Sequence, residues 1–170
     1  MVAVIAAFLL LQTAATDGLG PLRFFVGEWT GTSSGEPGNG MVRRTYELTL
    51  NARVLRVENR VVYPPQEKNK QGETHDDIGL ITYDRARQRF IYRQAHVEGF
   101  VNTYVSDSIP PEVKAIVFTT ESIENIPPGW RARETYLITG PETFVERFEL
   151  AEPGKDFALY SEAALTRVKP

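Results

Sequence analysis

Chemistry near neutral pH rests on few positions in this chain. Its 170 residues include two histidines, His75 and His96, and no cysteine. Only those imidazoles titrate naturally between pH 5 and 8, and thiolate nucleophiles, disulfides and cysteine-based metal sites are excluded. His96 follows Phe90, Tyr92 and Gln94 at every second residue, the spacing of one strand face. As a metal ligand it needs supporting partners, and as a general base it needs a nucleophile in reach. The plainer reading is an interior histidine hydrogen-bonded near Gln94 or Asn102. His75-Asp76-Asp77, with Glu73 before it, holds divalent-ion ligand types, but real sites recruit ligands from several segments. The expectation there is a solvated acidic loop end and no metal. No G-x-S-x-G elbow, phosphate-binding loop or Cys/His metal set occurs.

The elements that must position these residues are strands. Met41 to Leu50 alternates, with Val42, Arg44, Tyr46 and Leu48 on one face. Asn51-Ala52 breaks it, and Arg53 to Tyr63 alternates again as the second arm of a hairpin. Pro64-Pro65 ends that arm, because proline cannot donate to a ladder, and Gln66 to Thr74 reads as the longest loop. The strands expected next are Asp77 to Asp84, Arg89 to Val97, Phe100 to Val105, Val113 to Glu124, Trp130 to Thr139, Thr143 to Leu150 and Phe157 to Val168. Thr32 to Gly40 reads as turn. Asp17 to Phe25 is the best helical candidate.

About ten short strands with hairpin links predict an all-β fold. The form expected is a single antiparallel up-and-down barrel of about ten strands, with a short N-terminal helical cap. Such a barrel has no free edges and leaves a lumen wide enough for a small ligand. Its inward aromatic and aliphatic set includes Trp29, Phe118, Trp130, Phe144, Phe148, Phe157 and Leu159. The same alternation turns Arg44, Asn59, Gln94, His96, Asn102, Glu134 and Glu146 inward. Buried charge must be paired, so Arg44 is expected beside Glu134 or Glu146. An apolar body with a few convergent polar groups is the usual make-up of a small-molecule site. The residues expected to bind are Arg44, Tyr46, Tyr92, Gln94, His96, Asn102, Glu134 and Glu146. The guanidinium fork of Arg44 points to a carboxylate on the ligand.

Bulk properties bound the rest. Hydrophobic residues make up 42% and charged residues 24% of the chain, with net charge −3, a balance that fits one globular domain and disfavours nucleic acid as partner. Arg85, Arg87, Arg89 and Arg93 fall on the outer side of one hairpin among acidic neighbours. Val2 to Leu11 is an unbroken apolar run, followed by the small residues Thr13 and Ala15. It is shorter than the roughly 20 residues a bilayer span needs and suits a secretory signal. Residues 1–15 are therefore expected to be a signal peptide and 16–170 an exported domain with no stable membrane span. No basic residue precedes the apolar run.

Gly27-Glu28-Trp29 resembles the G-x-W opening of calycin barrels, the lipocalins and fatty-acid-binding proteins. The resemblance implies a basic side chain of the last strand across the tryptophan, and Arg167 stands where that residue belongs. Trp29 and Arg167 are then a structural closure joining the first and last strands. Gly79 to Asp84 followed by Phe90, and Asn51 to Leu55, are similar to bacterial lipocalin-like domains of unknown function, often exported; this likeness runs from Phe24 to Val168 in outline. Tyr160 to Leu165 loosely resembles the haem-ligand segment of nitrobindins, ten-strand haem barrels with peroxynitrite isomerase activity. That family's histidine is replaced here by Tyr160, and tyrosinate can ligate ferric haem.

Four functions follow as expectations. The first is a non-enzymatic, exported barrel with a small, mostly apolar ligand and no cofactor. The second is a haem protein acting on reactive nitrogen species through Tyr160 or His96. The third is an enzyme using Glu134, Glu146 and His96, for which no spacing in the chain speaks. The fourth is a structural or partner-binding module contacting through the Pro64 to Thr74 loop.

Overall fold

In the computed structural model, residues 18–109 and 113–169 are described. The proposed signal segment lies outside them. A 3-10 helix, Gly20–Phe25, precedes ten strands: β1 (Gly27–Gly35), β2 (Gly40–Thr49), β3 (Val54–Tyr63), β4 (Glu73–Asp84), β5 (Arg89–His96), β6 (Val101–Ser106), β7 (Ala115–Glu124), β8 (Arg131–Gly140), β9 (Thr143–Ala151) and β10 (Ala158–Arg167). Each strand pairs antiparallel with its sequence neighbours, and β1 pairs with β10 to close the barrel. The expected all-β barrel of about ten strands is the architecture found. Among the described residues no helix is long and apolar enough to cross a membrane.

The alternation read from the sequence sets the two faces. On β2, Val42, Arg44 and Tyr46 are buried; on β3, Leu55, Val57, Asn59, Val61 and Tyr63 are buried. The outward residues between them pair across strands. Arg60 meets Asp76 at 2.7 Å, Arg147 meets Glu162 at 2.9 Å, and Arg87 meets Glu121. Solvent and salt screen such exposed pairs, so closure and burial rather than surface charge hold the fold.

The β1–β10 seam needs two backbones in close approach. A Cβ on Gly31 would stand 1.8 Å from the carbonyl oxygen of Ala164, so only glycine fits there. Trp29 faces Arg167 across this seam.

Four expectations are corrected. Thr32 to Gly35 is not turn but the second half of β1, its ladder continuing to Ser161. β4 begins at Glu73 and not at Asp77, because Glu73 to Asp76 find ladder partners in Tyr63 to Arg60. Leu159 is 49% exposed rather than inward; the β9–β10 register shifts between Leu159 and Ser161, and one extra residue turns every side chain before it to the other face. Phe157 packs beneath the outward guanidinium groups of Arg131 and Arg133, with carbons 4.8 and 4.4 Å from the ring centre, so it is not a lumen residue.

Candidate functional site

The lumen has two unlike halves. One half takes in the start of β1 and the end of β10. There Phe25, inside the 3-10 helix, meets Tyr46, Tyr136 and Phe144 at 5.5, 5.7 and 5.1 Å between ring centres. Pro21 opens that helix, its fixed φ suiting a first-turn position. Trp29 meets Phe144 at 4.8 Å and donates from Nε1 to the Phe25 carbonyl at 2.6 Å. The Arg167 guanidinium lies 4.2 Å over the Trp29 ring and donates to the carbonyls of Val26 and Phe24 at 2.6 and 2.5 Å. A buried indole with its N–H bonded and a cation on its face is a well-satisfied contact.

The other half is a cavity of about 650 Å³. Its walls come from the opposite strand ends: Ser33 of β1, Tyr63 of β3, His75 and Asp77 of β4, Ile123 of β7, Phe148 and Leu150 of β9, and Tyr160 of β10. Ile126, Pro127 and Trp130, from the β7–β8 connection, add apolar rim.

Between the halves runs a belt of polar residues. Successive strands each contribute one residue: Arg44 (β2), Asn59 (β3), Asp77 (β4), Gln94 (β5) and Asn102 (β6), all buried. Register explains the belt, since Arg44 faces Asn59, Asn59 faces Asp77, and Gln94 faces Asn102. Arg44 Nε donates to Asn59 Oδ1 at 3.0 Å, Asn59 Nδ2 to Asp77 Oδ2 at 2.7 Å, and Gln94 Nε2 to Asp77 Oδ1 at 2.9 Å. Arg44 Nη1 also lies in direct contact with Glu146 Oε2 on β9. That contact is the oxygen's partner, although the angle forms no regular hydrogen bond. Of the two pairings open to Arg44, Glu146 is the one made.

Burial tunes the belt's protons. The Glu134 carboxyl is pushed up to about 8, by burial first and by the Glu146 charge second. Tyr136 donates to it at 2.5 Å and pulls the other way. Glu134 is therefore mostly a neutral acid at pH 7. Burial pulls His96 down to about 4, against the opposing charge of Asp77, so its imidazole is neutral. Burial also raises the phenols of Tyr92, Tyr104 and Tyr136 well above their ordinary value, so they stay protonated.

Two buried acceptors at the cavity wall have no hydrogen-bond partner among the described residues, Gln94 Oε1 and Asn102 Oδ1. Gln94 cannot turn over to hide its oxygen, because its amide nitrogen is needed by the Asp77 carboxylate, which only accepts. Asn102 Nδ2 donates to the Tyr104 hydroxyl at 2.8 Å and stands 3.2 Å from His96 Nε2.

Of the residues expected to bind, Arg44, Gln94, His96, Asn102, Glu134 and Glu146 meet at the cavity. Tyr46 and Tyr92 do not line it: Tyr46 packs on Phe25, and Tyr92 stacks on Tyr104 at 5.7 Å, next to Phe118. Trp29 and Arg167 lie at the other end. No hydrogen bond joins His96 to Glu134 or Glu146 among the described residues; His96 bonds to Asn102 and His75 instead. Asn59, Asp77, His75 and Glu98 line the cavity as well; the alternation turns Asn59 inward, whereas His75 and Asp77 are expected only at a solvated loop end and Glu98 only in a turn. Carrying the β4 alternation back to Glu73 reveals Glu73, His75 and Asp77 on one face.

Tyr160 reaches the cavity rim, its ring 5.8 Å from Phe148. Burial and then the neighbouring Glu73, Tyr63, Glu98 and Glu36 all raise its hydroxyl. None of these neighbours is a cation, so the protein adds nothing to what a ferric ion would itself have to supply to hold Tyr160 as a tyrosinate. The residues present do not fit a haem held by Tyr160.

No protein-family model matches the chain, and no curated protein matches it in sequence. Solved structures do. The crystal structure of Rv2717c from M. tuberculosis superposes with a TM-score of 0.69 at 15% identity, covering 89% of this chain and 98% of that one. A de novo designed fluorescence-activating β-barrel gives a TM-score of 0.42 at 11% identity over 86% and 95% of the two chains. The likeness to Rv2717c extends along almost the whole barrel and shows a shared fold.

Proposed function

We propose that this chain is a calycin-like carrier that holds a small, mostly apolar molecule in its cavity. The G-x-W opening with Arg167 over Trp29 supports the calycin reading, and the 3-10 helix caps the closed end. The observation that carries the binding reading is Gln94 Oε1, a buried acceptor pinned at the cavity wall without a partner. Leaving such a group unmet costs about 1–3 kcal/mol, and a ligand N–H or O–H in that place recovers it. The apolar body would rest on Ile123, Trp130, Phe148 and Leu150.

The belt changes the expected polar end. Arg44 is already engaged by Glu146, Asn59 and Tyr46, so its charge is not free for a ligand carboxylate. The charges of Glu146 and Asp77 already bear on Arg44 and would repel a second acid beside it. A hydroxyl, amide or amine therefore suits the site better than an acid. The apolar run at residues 2–11 supports export as part of this reading, and the mature N-terminus read by mass spectrometry from the native host checks it. Dye displacement with matched long-chain alcohols, amides and acids tests the ligand class. Alcohols and amides should compete more strongly than acids, and Gln94→Met should weaken the alcohol about fivefold, the worth of one net hydrogen bond of about 1 kcal/mol. Acids winning, or a Gln94→Met protein with unchanged affinity, would sink the reading.

A further inference from the structure

At the cavity mouth the two histidines stand together. β4 and β5 are in register with Asp77 facing His96, so His75, two residues before Asp77, reaches the same wall as His96, and Glu98 follows on the turn. His75 Nε2 and His96 Nδ1 are 3.3 Å apart. Two nitrogens bound to one tetrahedral zinc at about 2.0–2.1 Å stand about 3.3–3.4 Å from each other. Ring nitrogens of both residues and a carboxylate oxygen of Glu98 lie within 4.8 Å of one another. We propose that His75 Nε2 and His96 Nδ1 bind one divalent transition-metal ion of the zinc class at the mouth of the barrel, with Glu98 as the outer partner that holds His75.

The surroundings orient both rings for this. Glu98 Oε1 is 2.7 Å from His75 Nδ1. An N–H there leaves the Nε2 lone pair facing His96. The His96 ring stacks on Phe100 at 4.1 Å and 22°, which fixes its plane. Asn102 Nδ2 stands 3.2 Å from His96 Nε2, and the amide, turned over, presents Oδ1 to accept from an Nε2–H. That tautomer frees the Nδ1 lone pair of His96 to face His75. Outer partners of this kind are what hold metal-ligating imidazoles in place.

Charge points the same way. Asp77 Oδ2 lies 3.8 Å from His75 Nε2, and its side chain is 2% exposed. Asp77 and Glu98 meet no lysine or arginine at ion-pair distance among the described residues; His75 is the sole basic partner of each. Two carboxylates beside two imidazoles make the mouth a place for a cation, and imidazole suits zinc, nickel, copper or iron.

The unmodified protein can be tested, because His75 and His96 are its only histidines. After chelator treatment, Zn²⁺ titration followed by calorimetry and by imidazole NMR should show one ion per chain and shift both histidine spin systems. Co²⁺ should give visible d–d absorption. His75→Gln and His96→Gln should each weaken Zn²⁺ binding at least about tenfold, Glu98→Gln should weaken it less, and Glu67→Gln should leave it unchanged. Imidazole signals unmoved by Zn²⁺, or equal affinity in the His75→Gln/His96→Gln double variant, would overturn the proposal. The result is independent of the organic ligand, since the probe is the metal alone.

Discussion

Trp29 and Asp77 are both buried in this barrel, with 1% and 4% of their surfaces exposed, yet their neighbourhoods are opposites. Around Trp29 the inward side chains are rings, and its one polar atom is bonded to the Phe25 carbonyl. Around Asp77 they are amides, acids and imidazoles, and the network leaves acceptors over. Apolar packing is non-directional and tolerates no gap. A polar belt is directional, so it can close on itself only partly while a cavity stands beside it. One end of the lumen therefore supplies stability, and the other gives up some stability to keep groups available.

The largest effect expected from breaking this contrast is at Trp29. Trp29→Ala should cost about 3–5 kcal/mol, the range for a large buried aromatic, read from urea unfolding. Dye affinity, corrected for the folded fraction, should stay the same. A stable Trp29→Ala protein with lost dye binding would show that the two ends are not separate.

A pH scan sharpens the belt's side of the contrast. Between the ordinary carboxylate value of 4.5 and about 8, folded Glu134 keeps a proton that the unfolded chain releases. Its contribution is complete below that window and is lost as pH rises through it. His96 works in the other sense: from 6.5 down to about 4 the unfolded chain takes up a proton that the folded chain refuses, so stability falls with pH there. Between 4.5 and 6.5 the two oppose each other, so the melting temperature should hold level there and decline from 6.5 to about 8. Glu134→Gln should flatten the decline between pH 6.5 and about 8 and uncover the His96 fall below 6.5; an unaltered alkaline slope would remove Glu134 from the belt's titration.

The smallest effect belongs to neither end. Leu159→Ser, on the outward side of β10 before the register shift, should change stability by no more than about 0.5 kcal/mol. A loss of several kcal/mol would mean that Leu159 is inward after all and that the register shift lies elsewhere.

Much of the polar belt was legible as alternation. Arg44, Asn59, Gln94, Asn102, Glu134 and Glu146 each fall in phase with apolar inward residues on their own strand, and all are buried. His75 was harder to place. Polar residues from Gln66 up to the strand expected at Asp77 look like loop, and only the β3 ladder, running on to Tyr63 opposite Glu73, draws His75 into that strand. Leu159 misled for the complementary reason: a bulge leaves no mark in an alternating pattern.

By itself the sequence determined the strand count, the inward phase of most strands and the kinds of groups that share the lumen, because side-chain direction follows a two-residue period with no help from distant contacts. It also placed Trp29 and Arg167 near the start of the first strand and the end of the last. Only the tertiary structure decided who meets whom: that Arg44 takes Glu146 and leaves Glu134 neutral, that His75 joins His96 at the mouth, and that β1 closes on β10. Those choices depend on the stagger of one strand against the next, which no single strand's residues encode.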